Sequence, residues 1–192
     1  MASRGGARAK GTDGNDFGHR ETVASHYQIS SVNKTRLKVC ICFHVLLFIF
    51  SLLKLSNAIM NFFQISYSHV YDVTLPTPAL WEWLWLISIV FTIPAFVALR
   101  KNYIMPMKIF SGGIFVCGIC PLVAAIIYHS GDLKAFLMAD IADKTIEKFY
   151  NIPVVLILCV FVSIAFLVHS LSLMFAANLI RAWTPKKGKK KM

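Results

Sequence analysis

Cys117 and Cys120 stand three positions apart, the spacing used by thiol redox pairs and by zinc ligands. Cys40 and His44 stand four apart, on one face of any helix that contains them, and with the first pair would supply a Cys/His set for a metal ion. Against that chemistry, all five cysteines (Cys40, Cys42, Cys117, Cys120 and Cys159) fall inside long apolar runs. A thiol there lacks the exposure and the nearby positive charge that make it reactive. The plainer reading is a small buried hydrophobe, and neither a metal nor a disulfide framework is expected. His44 and His169 are then expected to hydrogen-bond across packed helices, and His169 and Lys54 are the costliest polar groups in the runs. No nucleophile with a paired base, no glycine-rich phosphate loop and no twin-carboxylate arrangement appears along the chain, which points away from catalysis and from a bound cofactor.

The elements that hold these residues follow from composition. Of 192 residues, 57% are apolar and only 15% are charged, against about 25% charged in an ordinary soluble domain. Mean hydropathy is +0.63. Such a chain is neither a typical soluble domain nor disordered, since a disordered chain has few apolar residues and much charge. A helical span takes about 20 residues, so four or five spans nearly use up the chain and leave no room for a large catalytic domain. The fold class expected is all-α, a polytopic membrane protein with four transmembrane helices.

Four runs nearly free of charge place those spans at about 39–63, 80–99, 109–128 and 152–180. Lys54 lies some 22 Å along the first span, near its far edge, where its stem can snorkel to the headgroups. Trp81, Trp83 and Trp85 open the second span as an interfacial aromatic belt. Pro94 and Pro121 sit in the second and third spans, and each removes a backbone bond. The short connection around residues 100–108 makes those two spans an antiparallel hairpin. Gly112, Gly113 and Gly118, with Cys117, form a small-residue stripe on the third span that lets a neighbouring helix approach closely. The connection from His129 to Asn151 has room for a short interfacial helix, but its apolar positions do not fall on one face.

Net charge is +11, and the bases gather at the ends. Residues 1–38 hold seven Lys/Arg against three acids, residues 181–192 hold six with no acid, and the central hairpin turn holds three. Neither tail interleaves its bases with enough aromatic residues for a nucleic-acid surface. Because short basic segments stay cytosolic, both termini are expected there, with a flexible glycine-rich tail over 1–38 and a basic tail over 181–192. No cleavable signal peptide fits the opening, and the sequon at Asn33 would face the cytosol unused. The chain ends Lys186-Lys187-Gly188-Lys189-Lys190-Lys191-Met192, which puts Lys189 and Lys190 at the fourth and third positions from its end. That is a dilysine retrieval pattern, read from the cytosol by the retrograde vesicle coat; a lysine-rich tail that merely fixes topology would carry the same spacing.

The string Gly11-Thr12-Asp13-Gly14-Asn15-Asp16-Phe17-Gly18-His19-Arg20, continuing to Tyr27-Gln28, resembles the opening of the Jagunal family of endoplasmic-reticulum membrane proteins. Trp81-Glu82-Trp83, Pro121-Leu122, Val168-His169 and Ala182-Trp183 are similar to that family as well. The resemblance implies four spans, two cytosolic ends and a non-enzymatic part in reticulum organisation and early secretory traffic. The leading expectation is therefore an adaptor whose partners are the lipid bilayer, the vesicle coat and membrane cargo, with no nucleic acid. A small transporter or channel is the alternative, weakened by the lack of a carboxylate beside the two prolines. A membrane-shaping protein would want spans of abnormal length, and these are ordinary.

Overall fold

The computed structural model describes residues 16–63, 77–138, 148–149 and 152–184. The chain is helical, in the order α1 (Asp16–Phe62), α2 (Leu80–Leu86), a 3-10 segment (Ile87–Phe91), α3 (Thr92–Lys101), α4 (Ile104–Gly113), a π segment (Ile114–Ile119), α5 (Cys120–Tyr128), α6 (Ser130–Met138) and α7 (Val154–Trp183). A two-residue antiparallel ladder joins β1 (Lys148–Phe149) to β2 (Ile152–Pro153), with Phe149 opposite Ile152. Four stretches are long and apolar enough to cross a membrane: Tyr27–Ser56, Leu80–Lys101, Ile104–Tyr128 and Val154–Trp183.

The first and last spans form the frame. Helix α1 has no proline and α7 neither proline nor glycine, so nothing interrupts their backbone ladders over about 70 and 45 Å. They pack against each other along buried seams. On α1 the seam is Asn33, Leu37, Cys40, Ile41, His44, Leu47, Ser51 and Leu55; on α7 it includes Val162, Ala165, Val168, His169, Ser172, Ala176 and Leu179. Steps of three and four residues keep each seam on one face. Thr184 ends α7 with extended backbone, as a residue before proline must.

The second and third spans are the expected hairpin. Asn102, at φ 58°, takes the left-handed conformation that stops α3 and turns the chain into α4. Both arms carry a proline within the membrane, and the backbone absorbs each by a local change of pitch. The 3-10 segment tightens the turns before Pro94, and the π segment widens those before Pro121. Such adjustments re-satisfy groups that proline frees in a medium without water.

Two expectations are corrected here. The N-terminal segment is not an unstructured tail to residue 38: the helix already runs from Asp16, and the apolar window opens at Tyr27 rather than Val39. Docking on the end of α7 accounts for the stretch from Ser30 onward, because Trp183 Nε1 donates to Ser30 Oγ at 3.0 Å and the Lys34 ammonium lies 5.7 Å from the Trp183 ring. Asn33 is buried in that contact, its amide donating to the Ile29 carbonyl at 2.8 Å, so the sequon's side chain is spent within the helix. The second correction concerns Gly112, which is exposed with nothing within 4 Å of where a Cβ would be; helix rotation turns it away from the packing face that Gly113 and Gly118 occupy.

The connection after the third span does hold a short helix, α6, with no buried residue, as its lack of an apolar face requires. The α1 start, the Asn102 turn and Thr184 share one side of the bundle, the termini face. Phe62, Leu80, Tyr128 and Val154 share the other, the loop face.

Candidate functional site

Polar side chains from three spans meet inside the bundle. His44 on α1 lies with Nε2 2.9 Å from Ser88 Oγ on the 3-10 segment, and Trp85 Nε1 on α2 donates to His169 Nε2 on α7 at 3.0 Å. The imidazoles pack edge to face, centroids 4.6 Å apart, and the Trp85 ring meets Phe161 edge-on at 5.2 Å. Trp85, Ser88 and His169 are fully buried and His44 is 2% exposed. Gly118 on the π segment closes the layer: a Cβ there would stand 3.2 Å from His169 Cδ2 and Nε2. The two irregular segments thus contribute Ser88 and Gly118 to one site, and their altered pitch brings both to it.

Hydrogen-bond roles fix the chemistry of His169. An indole N–H only donates, so Nε2 offers a lone pair, and the neutral ring carries its proton on Nδ1. Nδ1 is buried with no hydrogen-bond partner among the described residues. Ser88 and His44 have the separation of a nucleophile and its base. Both are sealed inside the helices, no carboxylate among the described residues orients the imidazole, and the bonds the layer makes tie three spans together. No three His, Cys, Asp or Glu among the described residues converge as metal ligands would. Cys40 is buried beside the layer, while Cys117 is half-buried and Cys120 exposed on the third span, so the Cys/His set of the sequence is not assembled.

A second polar contact closes the loop face. Lys54 Nζ reaches both carboxylate oxygens of Glu82, at 2.8 and 2.7 Å, and Glu82 Oε1 also accepts the Ala79 N–H at 3.2 Å. One carboxylate thereby caps α2 and binds α1 to it. Lys54 therefore has a partner 28 residues away, which no spacing rule reveals. Ser88 and Trp85 were likewise hidden from sequence reasoning: Trp85 reads as belt, yet it lies one turn deeper than Trp81 and is fully buried. A groove of about 510 Å³ between α5, α6 and α7, lined by Leu158, Val162, Phe166 and His129 among others, shares no residue with the histidine layer.

Of the family-opening residues, Asp16, Phe17, His19 and Arg20 lie on the first turns of α1, and Tyr27 and Gln28 are exposed on it. Gly11, Thr12, Asp13 and Gly14 lie outside the described residues, as do Lys189 and Lys190.

Trp85→Phe should destabilise the bundle by about 1–2 kcal/mol, because it leaves the buried His169 ring with neither nitrogen paired. Thermal unfolding in detergent reads this. Trp85→Phe with His169→Phe should lose less than the two single changes summed, and simple additivity would show that the hydrogen bond contributes nothing.

Four membrane-length helices tied to one another by interhelical polar contacts define a polytopic helical membrane protein. Within that class, the family model described as Jagunal, ER re-organisation during oogenesis, matches residues 1–187. Protein jagunal of Drosophila melanogaster is 35% identical over 195 residues, covering 100% of this chain and 99% of its own. Protein jagunal homolog 1-B of Danio rerio is 32% identical over 197 residues, covering all of both chains, and protein jagunal homolog 1 of Homo sapiens is 30% identical over 196 residues, covering 100% and 99%. The chain belongs to the Jagunal family.

Proposed function

We propose that this chain is a non-enzymatic membrane protein of the endoplasmic reticulum, acting in its organisation and in early secretory, vesicle-mediated transport. Both terminal segments face the cytosol, and Lys189 and Lys190 serve coat-dependent retrieval. The family description, which names reticulum re-organisation, supports the compartment. The observation that carries the retrieval reading is the Lys-Lys pair at the fourth and third positions from Met192, on a tail that leaves the same face as α1. A coat that reads lysines at fixed distance from a carboxylate needs that face to be cytosolic. The bundle itself associates with membrane cargo.

Adding a few residues after Met192 keeps every charge and moves the carboxylate. Coat binding by the extended tail peptide should be lost, as it should with Lys189→Ser and Lys190→Ser together. Equal binding by native and extended peptides overturns the retrieval reading. Tags at both ends of the protein should be removed by protease added to sealed microsomes, and protection of either tag overturns the orientation.

A further inference from the structure

On the termini face, each of the four spans presents at least one exposed base. Arg36 and Lys38 stand on α1, Arg100 and Lys101 in the last turn of α3, Lys108 in the second turn of α4, and Arg181 in the last turn of α7. The described residues give none of the six a carboxylate partner. The described ion pairs engage Glu82 and Asp132, both at the loop face. The contacts that do occur orient cations without neutralising them: the Arg36 guanidinium lies 5.8 Å from the Phe175 ring, and the Lys101 ammonium 5.7 Å from Tyr103.

The helix dipoles account for part of this pattern only. Bases at the C-terminal ends of α3 and α7 are favoured by the partial negative charge there. Lys108 stands near the opposite, positive end of α4, just across the Asn102 turn from Arg100 and Lys101. Three bases on one tight hairpin, one of them at the wrong end of its helix, repel one another unless an anion lies among them. Their supports are membrane spans, so the anions within reach are the headgroups of that leaflet. Bases contributed by α1, α3, α4 and α7 distribute the positive charge over all four spans, which matches a shell of lipids better than one soluble ligand.

We infer that the termini face is an anionic-phospholipid binding surface, in which Arg36, Arg100, Lys108 and their neighbours hold the headgroup phosphates of the surrounding leaflet. The full-length protein in nanodiscs of phosphatidylcholine and phosphatidylinositol in equal parts tests it, with the lipids retained on mild detergent extraction quantified by mass spectrometry. Phosphatidylinositol should be enriched several-fold over the bulk ratio, and enrichment should fall at high salt, where such contacts are screened. Arg36→Gln, Arg100→Gln and Lys108→Gln together should bring it close to the bulk ratio, since one base near a headgroup accounts for roughly fivefold for the lipid beside it. Lys134→Gln, on the loop side, should leave it unchanged. Unfolding temperatures in pure phosphatidylcholine should match the parent, which separates lost lipid from lost fold. Inorganic phosphate should not displace the retained lipid; if it does, the surface binds free phosphate instead. A bulk lipid ratio around the parent protein overturns the inference, as does enrichment that survives the triple change and disappears only when residues 185–192 are removed.

Discussion

Gly113→Leu should cost this protein its fold, whereas Gly112→Leu, one residue away, should leave it near the parent. A Cβ on Gly113 would fall on the Phe91 ring, at its root as well as its edge, while a Cβ on Gly112 meets nothing within 4 Å. Phe91 closes the 3-10 segment on the other arm of the hairpin, so the arms can touch only because one offers bare backbone to the ring of the other. Inserting a side chain into a closed contact costs about 1–3 kcal/mol when neighbours can shift. Here the neighbour is a ring root on a helix fixed by a short turn, so the expected loss lies at or above the top of that range. Yield and monodispersity in detergent should collapse for the first variant, and Phe91→Ala in the same chain should restore part of the loss. Cys117→Ser and Cys120→Ser provide the scale of a mild change. Equal behaviour of the two leucine variants would mean that the hairpin is not packed through Gly113.

Glu82→Gln should destabilise the protein by about 2 kcal/mol, and Lys54→Met added to it should recover most of that loss. Breaking a buried pair leaves one charge without compensation, at about 3–5 kcal/mol where both partners are sealed. Glu82 is 5% exposed at its side chain and Lys54 30%, so water relieves part of the stranded ammonium and the figure is reduced accordingly. Glutamine keeps an oxygen for the Ala79 N–H, so the cap of α2 survives and the charge alone is tested. The measurement is thermal unfolding in detergent for the two singles and the double. Snorkelling of Lys54 to the headgroups, the reading available from sequence, predicts instead that Glu82→Gln changes little. The cycle decides between them.

That contrast shows what was legible before the structure. Four spans and the hairpin follow from where charge is absent, because hydrocarbon penalises charge strongly enough to leave a plain record. The helical seams of α1 and α7 leave none: lipid-facing positions are as apolar as buried ones, so seven-residue spacings such as Val162, His169 and Ala176 vanish into a uniformly apolar run. His44 and His169 were identifiable as interior polar groups, but their meeting with Trp85 and Ser88 depends on helix rotation and on the pitch changes before the prolines. The start of α1 escapes the sequence for a related reason. Asp16–Arg36 carries polar residues that composition assigns to a tail, and what makes part of this stretch a docked helix is Trp183, which lies 153 residues from its partner Ser30.

The same bond has a consequence for how partners would engage the two ends. It anchors the base of the C-terminal tail to α1, from which the helix continues about 21 Å back to Asp16. The segment that follows Thr184 therefore starts beside α1, with Trp183 already fixed to it. Were each end to hold a ligand, the two ligands would be joined through one fixed contact between α1 and α7 rather than through independent anchors. Trp183→Ala would free that joint without changing any residue of either terminal segment.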